Sequence, residues 1–397
     1  MTSLPSTAGR TTAIPAETLA EAIAAAVETT RGNIARFGDR YPDDTTDGGF
    51  YPLRPAADGV PEGGNHGWTT SFVPGMQWIA WEATGDDVFR GAALRHAADF
   101  GERIRGHVDV DMHDLGFLYS LACVTAWRLA GDEDARQSAI AAADYLMTRF
   151  LEPAGIIQAW GDLSDPAQRG RTIIDSLMNM PLLTWAYEQT GEERYADAVR
   201  RHTLQLRENI IRPDDTTFHT FFWDVETGEP LRGSTAQGAH DDSCWARGQA
   251  WGIYGFALNH RDTGDERFLD ASRRCADYFL KHLPADAVSY WDLVYTDGSD
   301  APRDSSAAAI AVSGLRELAG VETDAANAER YIAAADRILA SLIAHYTPAD
   351  GESDALILHG VYSLPADAGV DEANLWGDYF YLEALMRTAH PDWRLYW

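Results

Sequence analysis

Two kinds of segment alternate along the chain. One is apolar on most faces and rich in Trp, Leu, Met and Gly; it recurs near residues 68–84, 115–130, 175–190, 245–262, 305–319 and 374–389. The other is amphipathic, with Ala and Leu on one side and Arg, Asp and Glu on the other. It recurs near 16–37, 87–105, 133–150, 192–210, 266–282 and 325–346. Both carry a helical period. A helix that is apolar all round is buried all round, and a striped one keeps a solvent face. Six of each predict two concentric rings: an all-α, single-domain (α/α)6 barrel over 16–397. The joints are Gly85, Gly131, Gly191, Gly264 and Gly320, most with an acid close behind. Glycine ends a helix in the left-handed conformation, and an acid favours the next helix's N-terminus. The glycines are 46, 60, 73 and 56 residues apart, which excludes a solenoid of fixed period.

The surplus residues precede the apolar helices, at 38–67, 106–114, 151–174, 211–244, 283–304 and 347–373. The barrel gathers these loops at one end, rich in Trp, His, Asp and Gly, and function is expected there. Within them, 211–240 and 290–297 are expected to pair as short strands. Residues 1–15, rich in Ser, Thr and Pro, read as a mobile arm with no secretory leader, so a cytoplasmic location is expected.

Composition narrows the partners. The 397 residues include 61 acidic and 32 basic side chains, a net charge of −29, with 45% hydrophobic residues. This is a globular chain with too few cations for nucleic acid and no apolar run long enough for a membrane. Cys123, Cys244 and Cys275 form no C-x-x-C pair and no disulfide framework. Lys281 is the single lysine. Acid excess with almost no lysine suggests a protein kept soluble at high salt.

Two acids open adjacent apolar helices: Asp114 in DMHDLGF and Asp175 in RTIIDSLMNM. Asp is a favoured N-cap. Two such acids facing one funnel would instead push their pKa values apart, as acid–base catalysis needs. The densest segment, TAQGAHDDSCWARGQAWGIYGF, holds Gln237, His240, Asp241, Asp242, Trp245, Arg247, Gln249 and Trp251. Aromatic faces with fixed polar groups suit sugars, and Arg suits a carboxylate. His219 lies among aromatics, and Trp68 opens an apolar helix; each also reads as structural. His113–Asp114 and His240–Asp241–Asp242 have metal-ligand chemistry but no metal-site spacing, so no metal or cofactor is expected.

HDLGF, IIDSLMNMPLL, DDSCWARGQAWGIYGF and LWGDYFYLEALMR resemble the unsaturated glucuronyl hydrolases, glycoside hydrolase family 88, from about residue 40 to the C-terminus. The resemblance implies an (α/α)6 barrel that removes the 4,5-unsaturated uronic acid from the non-reducing end of lyase-generated oligosaccharides. It implies Asp175 as general acid and then base, and Asp114 as the second carboxylate. His219 and Gln237 would line the double-bond end, Arg247 would hold the substrate carboxylate, and Trp68 and Trp251 would stack on the rings. Relatives that prefer sulfated fragments carry Ser and Lys before LWGDYF. Here Ser363 and Ala368 stand in that loop, which implies no strong preference for sulfate. The alternatives are an unsaturated rhamnogalacturonyl hydrolase, a sugar 2-epimerase on the same barrel, and a non-catalytic helical-repeat protein.

Overall fold

A computed structural model describes residues 13–57, 59–165, 168–349 and 351–397. Helix α1 (Ala16–Phe37) opens the outer ring, followed by α2 (Phe72–Thr84) inside and α3 (Asp87–Arg105) outside. Helices α4 (Leu115–Tyr119) and α5 (Thr125–Ala130) form one inner rod joined by a π turn at Ser120–Val124, and α6 (Glu133–Met147) backs it. A 3-10 turn, Ile174–Asn179, leads into inner α7 (Met180–Thr190), backed by α8 (Glu193–Asn209). Inner α9 (Ala246–Thr263) and α11 (Ser305–Val321) alternate with outer α10 (Glu266–Lys281) and α12 (Ala325–His345), and inner α13 (Leu375–Ala389) closes the ring against α2. The expected (α/α)6 barrel is the observed fold.

The inner helices behave as their composition dictates. Every residue of α9 from Ala246 to Asn259 is buried. The outer helices bury one stripe and take their caps from the predicted acids: Asp86, Asp132, Asp265 and Asp324 accept backbone N–H bonds at the starts of α3, α6, α10 and α12. Gly85, Gly131, Gly191 and Gly264 end inner rods in the left-handed conformation. Gly320 is a correction. Helix α11 runs through it to Val321 and stops at extended Glu322, whose carboxylate is held by Arg273.

Among the described residues, seven strands lie in or next to the loops before inner helices. They are β1 (Phe150–Leu151), β2 (Ile156–Ile157), β3 (Arg171–Ile173), β4 (Thr220–Trp223), β5 (Pro230–Ser234), β6 (Gly360–Ser363) and β7 (Ala368–Glu372). The expected pairing of 211–240 with 290–297 is also corrected. Strand β4 is taken by β3 on one edge and β5 on the other, leaving 290–297 the isolated bridges Trp245–Asp292 and Tyr290–Arg303. Of the 1–15 arm, residues 1–12 lie outside the described residues. Ala13 donates to Asp336 (2.7 Å) and Ile14 is buried, so the docked chain begins before Ala16. Among the described residues no helix is long and apolar enough to cross a membrane. At the barrel's other end, a cavity of about 690 Å³ is lined by groups such as Arg261 and Arg387, both committed to Glu317.

Candidate active site

Asp114 stands at the start of α4, and Asp175 lies in the first turn of the 3-10 segment. Neither acts as a cap: no side-chain hydrogen bond caps either helix start. The backbone there is held by other groups. His113 N–H donates to the Ala159 carbonyl (2.8 Å), and Phe117 N–H donates to Asn179 Oδ1 (2.9 Å). The two segments meet backbone to backbone because residue 116 is glycine; a Cβ there would lie 2.2 Å from Asn179 Cα. That contact brings the two carboxyls onto one imidazole. His113 Nε2 is 3.3 Å from Asp114 Oδ1 and 3.5 Å from Asp175 Oδ1.

Burial sets the charges. Only 16% of the Asp114 side chain and 14% of the Asp175 side chain are exposed, so the ionised forms are poorly hydrated. Burial raises Asp114, which the Asn179 amide and the charges of Arg103 and Arg149 partly oppose. Burial raises Asp175 well above the carboxylate range, and the Asp114 charge adds to it, against Arg247. Asp175 Oδ1 is buried with no hydrogen-bond partner among the described residues. Burial also drives His113 well below its ordinary value, so its imidazole is neutral between two carboxyls. This is a site that holds a proton on a carboxyl at neutral pH with a lone pair left open.

His219 precedes β4, and its backbone carbonyl accepts from Ile174 N–H (3.1 Å) beside Asp175. Its Nδ1 accepts from Ala236 N–H (3.1 Å), which places the ring proton on Nε2. Nε2 is buried and unpartnered, and burial together with the Arg247 charge lowers the ring to about 3. It is therefore an open neutral donor. Gln237 Oε1 accepts from Arg247 Nη2 (2.7 Å), so its NH2 faces outward from that bond.

Arg247 differs from its expected use. Nη1 is spent on Asp304 (3.2 Å) and the Val361 carbonyl, and Nη2 on Gln237 and the Tyr362 carbonyl (2.8 Å). Both terminal nitrogens are saturated by the protein, which leaves no fork for an incoming carboxylate. Trp68 is half-buried; its Nε1 donates to Tyr362 Oη (3.1 Å) and its ring meets Phe72, Phe117 and Trp376. Trp251 is 1% exposed and packed edge-on against Phe117 and Phe380, so it offers no open face. Ser363 and Ala368 face each other in the β6–β7 hairpin.

Sequence reasoning missed three members. His113 was legible only as a weak metal ligand. Asn179 sits inside the quoted IIDSLMNM run, but only helix contact reveals its reach to Phe117. Trp160, 36% exposed, follows the Ala159 whose carbonyl binds His113, and its ring lies under the Arg171 guanidinium (4.9 Å). Arg149 holds that loop through the Gln158 and Gly161 carbonyls (both 3.0 Å).

Known proteins resemble this chain along most of its length. The sequence pattern of Glycosyl Hydrolase Family 88 matches residues 52–388. The unsaturated chondroitin disaccharide hydrolase of Streptococcus pneumoniae is 43% identical over 388 residues, 96% of this chain and 94% of that protein. The unsaturated glucuronyl hydrolase of Bacillus sp. strain GL1 is 42% identical over 369 residues, 92% of this chain and 96% of that one. The crystal structure of unsaturated glucuronyl hydrolase from Streptococcus agalactiae aligns with a TM-score of 0.92 at 43% identity, covering 97% of this chain and 94% of the other. The barrel, the paired aspartates and these matches lead to one conclusion: the chain belongs to Glycosyl Hydrolase Family 88.

Proposed function

We propose that this protein cleaves the 4,5-unsaturated uronic acid from the non-reducing end of oligosaccharides left by polysaccharide lyases, with disaccharides from acidic glycans among its substrates. The observation that carries this reading is the buried, unpartnered Asp175 Oδ1 beside a second carboxyl on the same imidazole. Asp175 gives its proton to C4 of the vinyl ether. Water adds at C5 and its surplus proton returns to Asp175. The hemiketal at C5 opens to a ketone, C1 releases the shortened sugar, and a keto-uronic acid leaves. Asp114 keeps the Asp175 proton in place and accepts from sugar hydroxyls. Neutral His113 stands between the two carboxyls, its Nε2 3.3 Å from Asp114 Oδ1 and 3.5 Å from Asp175 Oδ1.

The open Nε2–H of His219 and the NH2 of Gln237 support roles as donors to the uronate end. Arg247 contributes field and scaffold to that end: its charge acts on Asp175 and His219 while its terminal N–H groups hold Gln237 and the β6 strand. Trp68 is one stacking wall, and exposed Trp160 is the second. Trp251 backs the floor through Phe117. With Ala368 opposite Ser363, no cation stands at that hairpin position, which supports a weak preference for sulfate.

The test is optical. The substrate double bond is conjugated with its carboxylate and absorbs in the ultraviolet; the product's is gone. Purified protein mixed with unsaturated uronyl disaccharides is expected to extinguish that absorbance with release of the shortened sugar. No loss on any unsaturated uronide, in folded protein, rejects the reading.

The acid surplus and the single lysine support a salt-adapted protein. At 1 M salt the Debye length is about 3 Å, so repulsion among surface carboxylates is screened. Midpoints of thermal unfolding are expected to rise between dilute buffer and molar salt; equal midpoints reject the adaptation. Three cysteines, all free and buried, fit a reducing compartment and support the cytoplasmic placement.

A further inference from the structure

We infer that the exposed face of the β3–β4–β5 sheet is a second binding strip for acidic sugars lying beyond the disaccharide, so that longer anionic oligosaccharides bind better than short ones. The inference rests on the reading of the Asp114–Asp175 pair as the site of uronide cleavage.

Register places the strip. Arg171 of β3 lies directly opposite Phe222 of β4, and Phe222 directly opposite Arg232 of β5. Directly opposed residues in an antiparallel sheet share a face. The three therefore form one row across the sheet. The alternate residues Thr172 and Phe221 are buried on the other face, whereas Arg171 and Phe222 are half-buried and Arg232 is exposed. Two stacks stiffen the row. The Arg171 guanidinium lies 4.9 Å over the Trp160 ring, and the Arg232 guanidinium lies 4.3 Å over the Phe222 ring. The order along the row is Trp, Arg, Phe, Arg: flat apolar faces alternating with fixed cations.

Charge says what it suits. Among the described residues no carboxylate lies within 4 Å of either guanidinium; Asp165 acts on Arg171 only from farther off, and Arg171 Nε donates to the Gln168 carbonyl (2.9 Å). In a chain of net charge −29 these are two cations available to an outside anion. Strand spacing sets the arginines about 10 Å apart, two strand steps, on the scale of two sugar rings. Acidic glycans that alternate a uronate with a neutral or amino sugar carry a carboxylate at that interval. Guanidinium groups bind carboxylates through paired N–H bonds, and aromatic faces take sugar rings between them.

The strip is continuous with the carboxyl pair. Ala159, the residue before Trp160, donates to the Arg171 carbonyl (2.9 Å) and accepts from His113 N–H (2.8 Å). Strand β3 ends two residues before Asp175. A chain whose terminal uronate sits at the aspartates leaves past Trp160 and onto this row. The acids of the β4–β5 turn, Asp224, Glu226 and Glu229, flank the row along the strand direction, one strand pair beyond Phe222 and Arg232.

The test compares substrate lengths. Steady-state kinetics are measured with an unsaturated disaccharide and an unsaturated tetrasaccharide from the same uronate-containing polysaccharide, on wild type, Arg232→Gln and Arg171→Gln. Arg232→Gln is expected to raise KM for the tetrasaccharide about five- to tenfold, with kcat unchanged and disaccharide kinetics within about twofold of wild type. The wild-type preference for the tetrasaccharide is expected to shrink as salt rises. Equal effects on both lengths, or none on the tetrasaccharide, overturn the strip while leaving the cleavage reading intact. If wild type turns over neither substrate, the cleavage reading fails instead. Calorimetric binding of the tetrasaccharide to wild type and Arg232→Gln then judges the strip alone, and equal affinities overturn it.

Discussion

Asp175→Asn leaves a folded protein that binds unsaturated disaccharide and turns it over about 10³-fold more slowly, the scale of a lost general acid and base. Asn keeps the shape and cannot give a proton to C4. Single-turnover absorbance and calorimetry on the same sample separate the two effects; persistent turnover removes Asp175 from the role. The pH profile carries the sign. The acid must be protonated, so activity falls as pH rises through the Asp175 value in the fold, which burial first and the Asp114 charge second place well above the carboxylate range. Asp114→Asn deletes that neighbouring charge, lowers Asp175, and is expected to move the alkaline limb to lower pH.

Stability falls in the same direction. A carboxyl whose folded value lies above its unfolded value stabilises fully below the ordinary carboxyl range, and that contribution is lost as pH rises through the folded value. Asp175→Asn cannot ionise and is expected to melt above wild type on the alkaline side, the two curves converging toward acid. Coincident alkaline midpoints would show that burial of this group costs the fold nothing.

Gly116→Ala is the second large effect. Its Cβ would stand 2.2 Å from Asn179 Cα and 2.5 Å from the Asn179 carbonyl oxygen. The obstacle is backbone, which no rotamer change relieves. Overpacking of this kind costs about 1–3 kcal/mol and sometimes more. The helices separate at the point that aligns Asp114 with Asp175, and a 1 Å misplacement costs about 10²-fold in rate. The expected result is a lower melting temperature together with a loss of kcat that outlasts refolding at low temperature. Gly85→Ala is the control. Its φ is +71° with nothing within 4 Å of a Cβ, so it pays conformational strain of about 1 kcal/mol and keeps its activity. If Gly116→Ala behaves like Gly85→Ala, the helix contact does not align the carboxyls.

Much of the barrel was legible because its signals are local. Burial all round and burial on one stripe leave different residue patterns, and four joints announce themselves by a glycine with positive φ followed closely by an acid. Gly320 failed because a glycine inside a helix costs only about 1 kcal/mol, and α11 continues one residue past it to Val321. The strand pairing failed because short strands choose partners across the fold. Strand β4 took β3 and β5, and only tertiary position decides between competing edges.

The sequence by itself determined the helix alternation, the end of the barrel where the loops gather, and the two aspartates that open adjacent inner helices. Each follows from periodicity, composition or a position next to a helix start. Only the tertiary structure decided that Asp114 and Asp175 share one neutral histidine, because Gly116 meets Asn179 across two helices. It alone decided that Arg247 is saturated by Asp304 and by carbonyls of a strand more than a hundred residues away, that Trp251 is walled in, and that Trp160 is open. The physical reason is the same in each case. What a polar or aromatic side chain can still bind depends on which of its atoms the fold has already satisfied, and those partners are distant in sequence.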